Sequence, residues 1–182
     1  MKLILASNSP RRKELLSELG YKFTVIPSNI IESASLDNGV YSYVETLAYE
    51  KASDVFCKHK NVVLGADTIV YHNQKILGKP KNYDDAIEML KSLSNSTHEV
   101  ITGYAILTEN KKIIGHEVTK VTFNNLSLDD IKYYVDTYNP LDKAGSYGVQ
   151  DGYPLAKNVS GSFTNVVGLP TEKISEILKD LL

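Results

Sequence analysis

The first nineteen residues constrain the fold of this chain most. Lys2 to Ala6 reads as a short apolar strand, and a helical run that ends near Leu19 begins at Pro10. Proline suits the first position of a helix because the amide that it lacks would have no partner there. A strand that passes into a helix through so short a turn is typical of a sheet with helices packed on its faces.

The turn between this strand and this helix predicts a site for an anion. The exposed amides at a helix start favour negative charge. Ser7 and Ser9 add two hydroxyls, and Arg11, Arg12 and Lys13 add three cations. This combination predicts a cradle for a polyphosphate ligand.

Composition narrows the class of protein. The chain has 182 residues, which indicates one domain with two lobes around a cleft. Its 20 basic and 22 acidic side chains give a net charge of −2, which argues against a general nucleic-acid binder. The single cysteine, Cys57, fits a reducing compartment and is expected to be a small buried residue. No signal peptide and no apolar run of the ~18 residues that a membrane span needs is present, so we expect a cytoplasmic protein.

The remaining elements predict a mixed sheet. In chain order they are a strand at 22–26, a helix at 43–58, a strand at 61–64 ending at Gly65, a hairpin over 69–77, a helix at 83–93 capped by Asn82, strands near 98–109 and 112–123, a helix at 127–138, a hairpin of 153–159 with 163–167, and a helix from Pro170 to Leu182. Strands and helices alternate early and hairpins follow, which indicates an α/β fold of mixed α+β type, with helices flanking a mixed sheet.

Asp67 is the first candidate for catalysis. It follows the apolar strand 62–64 within Gly65-Ala66-Asp67-Thr68. An acid at a strand end faces a ligand crevice, where a carboxylate can hold a metal ion or take a proton from water. The alternative is a carboxylate that caps a turn. The anion cradle nearby favours the functional interpretation.

Four further residues are weaker candidates by themselves. Lys79, held between Gly78 and Pro80, can reach a phosphate as a point charge, although a lysine in such a turn is more often solvated. Gln150 ends a glycine-bearing loop and can both donate to and accept from the edge of a base, although the loop also reads as an ordinary turn. Glu32 and Lys51 read individually as solvated surface charges.

The ordered set of these segments resembles the Maf family over nearly the whole chain. The resemblance is carried by Ser7–Arg12, Glu32, Leu47–Ala52, Gly65–Thr68, Gly78–Pro80, Asp142–Gln150 and Gly168–Pro170. It implies one domain over residues 1–182, with a long mixed sheet and two lobes around a cleft, similar to the inosine triphosphatases. One departure is Ile31-Glu32, where relatives often pair two acids.

The resemblance also implies an activity. Maf proteins of this type are nucleoside triphosphate pyrophosphatases: hydrolases that cleave the α–β phosphoanhydride bond with a divalent cation, Mg²⁺ or Mn²⁺. The branch that this chain resembles acts on dTTP and UTP, including modified uridine triphosphates, in a house-cleaning role. A homodimer that binds no nucleic acid and no membrane is expected.

The resemblance assigns roles to individual residues. Arg11, Thr68 and Gln150 match the specificity positions. The expected phosphate-binding residues are Ser7, Arg11, Arg12, Lys51 and Lys79. Asp67 is the expected catalytic base, and Glu32 and Asp67 are the expected metal ligands, with the division of labour between the two acids left open. The alternative function is a nucleotide-binding regulator of septum formation and cell division in which hydrolysis is incidental.

Overall fold

The computed structural model describes residues 2–182. Its α-helices are α1 (Pro10–Glu18), α2 (Gly39–His59), α3 (Tyr83–Leu93), α4 (Leu128–Tyr138), α5 (Phe163–Val167) and α6 (Thr171–Lys179). Its strands are β1 (Leu3–Leu5), β2 (Phe23–Val25), β3 (Val62–His72), β4 (Lys75–Leu77), β5 (Thr97–Leu107), β6 (Lys112–Phe123) and β7 (Ala156–Ser160). Three short 3₁₀ turns follow α4, at Pro140–Asp142, Ala144–Ser146 and Val149–Asp151.

Within residues 2–182 the strands form one seven-stranded mixed sheet. The order is β2-β1-β3-β5-β6-β7, and β4 pairs with β3 outside this path. The short strand β1 runs parallel to both β2 and β3, with Leu3 opposite Phe23 on one side and Val62 on the other. All three residues of β1 are buried, as parallel strands covered on both faces require. The predicted mixed sheet with flanking helices is confirmed.

The prediction that a strand ends at Gly65 is wrong. β3 continues through Gly65 and Asp67 to His72, so Asp67 lies in the middle of a strand and not at its end. A Cβ on Gly65 would lie 2.5 Å from the carbonyl oxygen of Ala48 and 2.8 Å from the amide of Ala52. Glycine here marks the close approach of another backbone, which in this structure is that of α2.

The predicted final hairpin is also wrong in its second half, because residues 163–167 form the helix α5. The β-branched and aromatic residues of this segment favour a strand. Ser162 overrides that preference, since its hydroxyl accepts a hydrogen bond from the amide of Asn165 at 3.1 Å. Asn165 is fully buried, and its Nδ2 donates to the carbonyl of Val100 at 3.1 Å and to Thr119 Oγ1 at 3.0 Å.

Capping residues and turn residues correctly predicted the starts of α3 and α4 and the hairpin of β3 and β4. Asn82 caps α3 by accepting from the amide of Asp85, and Ser127 forms a capping box with Asp130 at the start of α4. The hairpin of β3 and β4 is confirmed. The prediction that Cys57 is buried is wrong, because Cys57 is exposed on the last turn of α2.

The chain divides into two compact units, in agreement with the two expected lobes. The first holds the segment up to Thr68 together with Thr102–Glu117 and Gly168–Leu182, and the second holds Ile69–Ile101 and Val118–Val167. Each unit has its own apolar core. Residues of α2, β1 and β3 build the first, and α3, α4 and the aromatic residues Phe123, Tyr134 and Tyr147 build the second. No helix within residues 2–182 has the length and apolar character to cross a membrane.

Candidate active site

Two serines shape the turn before α1. The Ser9 hydroxyl caps the helix by accepting a hydrogen bond from the Arg12 amide at 3.4 Å. The Ser9 amide in turn donates to the hydroxyl of Ser7, which is buried, at 3.2 Å. The serine hydroxyls therefore hold the turn in the conformation that starts the helix, as expected for a capped N-terminus.

Arg12 is anchored in the first unit by three hydrogen bonds. Its Nε donates to the carbonyl of Gly168 at 2.8 Å, Nη1 to Ser7 Oγ at 3.3 Å and Nη2 to Thr68 Oγ1 at 3.0 Å. A guanidinium has five N–H donors, so two are left to bind an anion. Burial lowers the pKa of Arg12, and the carboxylate of Asp67 partly offsets this by raising the pKa. Arg12 stays charged, because an arginine does not lose its proton in proteins.

The Thr68 hydroxyl belongs to the same network. It accepts from Arg12 and lies 2.9 Å from the hydroxyl of Thr102 and 3.4 Å from the carbonyl of Gly168. Thr102 is fully buried. The hydroxyl of Thr68 is thus occupied in orienting Arg12, and sequence reasoning missed both the role of Thr102 and the contact with Gly168.

Lys51 joins the two acids that the sequence singled out. Its ammonium forms an ion pair with Asp67 Oδ1 and a second one with Glu32 Oε1 at 3.0 Å. The side chains of Lys51 and Asp67 are only 17% and 16% exposed. The interpretation of Lys51 as a solvated surface charge is therefore wrong. α2 lies close to β3 because Ala48 and Ala52 are small, and Lys51 on the same helix meets Asp67.

The loop that carries Glu32 is fastened to α2 by residues that sequence reasoning missed. Ser33 donates to the carboxylate of Glu50 through both its amide, at 3.3 Å, and its hydroxyl. The amide of Asn29 donates to Asp54 Oδ2 at 2.9 Å. These bonds place Glu32, which is half exposed, within reach of Lys51.

Tyr43 is a further neighbour of the acids that the sequence did not reveal. Burial raises the pKa of its phenol, and the carboxylates of Glu32 and Asp67 raise that pKa further. Tyr43 therefore keeps its proton beside the two acids and remains a hydrogen-bond donor. Its spacing of seven residues from Glu50, which places both on one side of a helix, was the available signal.

The two remaining candidates lie in the second unit. Lys79 is exposed in the turn after β4, and Gln150 is exposed on the 3₁₀ turn Val149–Asp151. The segments that carry them are bonded to each other, because the amide of Gly145 donates to the carbonyl of Gly78 at 3.0 Å. The first unit thus brings together Ser7, Arg12, Glu32, Lys51, Asp67 and Thr68, and also holds Arg11. The second unit holds Lys79 and Gln150.

The donor set limits how a metal ion could be held. Residues 2–182 contain no group of three or more His, Cys, Asp or Glu side chains arranged for a metal ion. Glu32 and Asp67 do share one cationic partner, the ammonium of Lys51. Mg²⁺ is commonly bound by only one or two carboxylates together with substrate phosphates and waters, so this pair of acids fits such an ion.

Comparisons with known proteins agree with these features. The family profile of Maf-like proteins matches residues 2–181. A relative from Acetivibrio thermocellus, named dTTP/UTP pyrophosphatase, is 44% identical over 99% of this chain and 95% of its own length. A relative from Thermosipho africanus with the same name is 48% identical over 99% of this chain and 93% of its own length.

Solved structures match the fold. A Ham1 protein from Coxiella burnetii has a TM-score of 0.58 at 18% identity, with 99% of both chains covered. The Staphylococcus aureus Ham1 protein has a TM-score of 0.56 at 12% identity over the whole of both chains. Identities this low show the fold alone, while the profile match and the close relatives cover nearly every residue. The chain therefore belongs to the Maf family.

Proposed function

We propose that this protein is a nucleoside triphosphate pyrophosphatase that hydrolyses dTTP and UTP, including modified uridine triphosphates, to the monophosphate and pyrophosphate. The observation that carries the proposal is the ion-paired cluster of Lys51, Asp67 and Glu32 in the same unit as the anchored Arg12. It provides carboxylates for water activation and cations for phosphate. The names of the relatives, dTTP/UTP pyrophosphatase, supply the substrate class.

The cations of the first unit have donors left for a triphosphate. An ammonium has three N–H donors, of which Lys51 uses two on Glu32 and Asp67. Arg12 has two N–H donors beyond the three that bind Gly168, Ser7 and Thr68. Ser7 and Arg11 border the same turn, and Lys79 is a further proposed phosphate-binding residue. Cations that meet the phosphates stabilise the negative charge that develops on the leaving pyrophosphate.

Asp67 acts as the general base. A water molecule attacks the α-phosphorus, and its proton passes to the carboxylate of Asp67 as the new P–O bond forms. The bond from the α-phosphorus to the bridging oxygen breaks, and pyrophosphate leaves with that oxygen. A general base contributes about 10²–10⁴-fold to such a step.

A divalent cation, Mg²⁺ or Mn²⁺, belongs to this proposal, with Glu32 and Asp67 as its protein ligands. Bound there, it would neutralise phosphate charge and polarise a phosphoryl oxygen. Lys51 contacts both carboxylates and so holds them close to one another.

Base selection is assigned to Gln150, Thr68 and Arg11. Gln150 can donate to and accept from a pyrimidine edge with one amide, and a site built to hydrogen-bond a base rejects bases that lack the matching groups. Thr68 acts through Arg12, since its hydroxyl is bonded to that guanidinium. The proposal also includes a cytoplasmic homodimer. The single exposed cysteine fits a reducing compartment, and light scattering tests the dimer.

The proposal is tested with a nucleotide panel in the presence of Mg²⁺, Mn²⁺ or Co²⁺. Pyrophosphate release is measured for dTTP, UTP, 5-methyl-UTP, CTP and GTP. Fast, cation-dependent release that is selective for dTTP and UTP supports the enzyme. Tight binding of dTTP with negligible release contradicts it and indicates a nucleotide-binding regulator.

The role of Asp67 is tested with Asp67→Asn, which keeps the shape of the side chain but not its basicity. We expect kcat to fall about 10²–10⁴-fold while the affinity for dTTP, measured by calorimetry, changes little. Asp180→Asn, which removes an exposed carboxylate near the C-terminus, serves as the control and keeps full activity. An Asp67→Asn protein that turns over dTTP at the wild-type rate contradicts the assignment of the base.

A further inference from the structure

A buried tyrosine holds the turn that carries Gln150. Tyr134 lies on α4 and is fully buried. Its hydroxyl accepts a hydrogen bond from the amide of Gly148 at 2.9 Å and donates one to Asp151 Oδ2 at 2.5 Å. One hydroxyl is therefore bonded to both ends of the four-residue segment 148–151.

An ion pair fastens the same segment a second time. The ammonium of Lys143 lies 3.3 Å from Asp151 Oδ2, and both side chains are nearly buried, at 12% and 13% exposed. The amide of Asp151 also donates to the carbonyl of Gly148 at 3.1 Å. A loop tied at both ends in this way has lost most of its conformational freedom before any ligand binds.

The side chain of Gln150 lies against this fastened segment. A Cβ on Gly148 would stand 2.9 Å from Gln150 Nε2 and 2.8 Å from Asp151 Oδ2, distances that real Cβ atoms essentially never show. The φ of Gly148 is −125°, which any residue can adopt. A Cβ at position 148 would therefore displace the ends of the Gln150 and Asp151 side chains, while the backbone conformation itself would accept it.

We infer that Tyr134 is a positioning residue for base selection: by binding Gly148 and Asp151 at once, its hydroxyl fixes the turn and thereby the direction in which Gln150 presents its amide. The inference rests on the proposed function, because it takes Gln150 to contact the base. Tyr134 is assigned no contact with the substrate and acts only through Gln150. A turn that is already ordered presents Gln150 without an ordering cost on binding, and this benefit applies only to bases that the amide can pair with.

The chemistry of the tyrosine suits this role. Burial raises the pKa of the Tyr134 phenol, and the hydrogen bond to Asp151 raises it further. The phenol therefore keeps its proton at neutral pH and donates to Asp151. A tyrosine also has only two side-chain torsions, and here the ring stacks on Tyr138 at 5.0 Å between centroids, so the hydroxyl is held rigidly.

The test removes only the hydroxyl, with Tyr134→Phe. We expect the ratio of kcat/KM for dTTP to kcat/KM for CTP to fall about tenfold, the value of one hydrogen bond. The fall should come through KM for dTTP, with kcat changed by less than about twofold. Tyr138→Phe is the matched control, because it belongs to the same stack and its hydroxyl has no hydrogen-bond partner within residues 2–182. The control should keep the ratio.

Two more variants keep the test decisive. Gly148→Ala has a permitted backbone but pushes the ends of Gln150 and Asp151 aside, so it should lower the ratio similarly even if Tyr134→Phe fails to fold. Gln150→Ala should lower the ratio as well, and the double variant with Tyr134→Phe should lower it no further, because both changes act on one contact.

These variants distinguish the positioning role of Tyr134 from the proposed reading of the base by Gln150. If Gln150→Ala leaves the ratio unchanged, the proposed base reading by Gln150 fails. If Gln150→Ala lowers the ratio but folded Tyr134→Phe keeps it, or lowers kcat/KM for dTTP and CTP equally, the positioning role is overturned. A preserved ratio in Gly148→Ala overturns it in the same way.

Discussion

Gly65→Ala tests whether the contact between α2 and β3 brings Lys51 to Asp67. Gly65 lies two residues before Asp67 on β3, facing the helix that carries Lys51. A Cβ at this position would lie 2.5 Å from the carbonyl oxygen of Ala48, 2.8 Å from the amide of Ala52 and 2.9 Å from its Cβ. Two of these three atoms belong to the backbone, so no side-chain rotation can relieve the contact.

The structure sets the size of the effect. Ordinary van der Waals contacts of a Cβ begin at 3.4 Å, so α2 must move away from β3 by about 0.9 Å to accommodate the methyl group. Inserting a group into a well-packed interior typically costs about 1–3 kcal/mol. For a protein of this size, 2 kcal/mol corresponds to a fall in Tm of roughly 4–8 °C. The same movement carries Lys51 away from Asp67, and a misplacement of about 1 Å can reduce turnover ~10²-fold.

The assay combines thermal unfolding with pyrophosphate release from dTTP, both at one pH. Gly115→Ala is the control, because the Cβ there would meet the hydroxyl of Tyr104 at 2.6 Å, which is the end of a side chain and not backbone. We expect the control to lose less stability and to keep kcat. Gly103→Ala, whose Cβ would lie 2.2 Å from the carbonyl oxygen of Val44, should be as unstable as Gly65→Ala.

A Gly65→Ala protein with the wild-type Tm and kcat refutes the reasoning. It means that helix and strand have room to separate without cost, so their spacing does not set the Lys51–Asp67 ion pair. A lowered Tm with unchanged kcat refutes only the claim that the movement of α2 disturbs the ion pair. The packing is then tight, but the Lys51–Asp67 ion pair does not depend on it.

Two other predictions follow from the structure. Thr68→Val removes the hydroxyl that orients Arg12, so KM for dTTP should rise by a factor of about five to ten and by more than KM for CTP; an equal rise for both nucleotides contradicts the assignment of Thr68 to base selection. Burial lowers the pKa of His98 from 6.5 to about 4. The unfolded chain therefore takes up this proton first as the pH falls, and the free energy of unfolding should drop between pH 6.5 and about 4, by up to ~3 kcal/mol. Urea unfolding of His98→Phe should lack that part of the pH dependence, and an unchanged slope contradicts the assignment.

The candidate site shows how far sequence reasoning reaches. The residue types of the anion cradle and of the acidic cluster could be chosen from sequence because their chemistry is specific, and Asp67 and Arg12 do lie in one unit. The contacts between the members of the cluster could not be predicted from the sequence. Lys51 read as a solvated charge, since nothing within a few residues of it reveals an acid that lies 16 positions away.

Predictions of secondary structure were confirmed where the signal lies within a few residues and were wrong where contacts between distant residues decide the structure. Residues 153–167 read as a hairpin, but the second half is a helix that is capped by Ser162 and held by the buried contacts of Asn165 with Val100 and Thr119, 65 and 46 positions away. Gly65 read as the end of a strand, although it marks the approach of a helix. In both segments local preference was outweighed by packing that is distant in sequence.

The sequence by itself determined where α1, α3 and α4 begin. Ser9, Asn82 and Ser127 bond to amides three residues further along the chain, so the signal and its partner lie in one short window. Only the tertiary structure decided that Lys51 would bridge two acids and that a buried tyrosine would hold the turn of Gln150. Those arrangements depend on side chains from separate elements, and their distances exist only once the elements have packed.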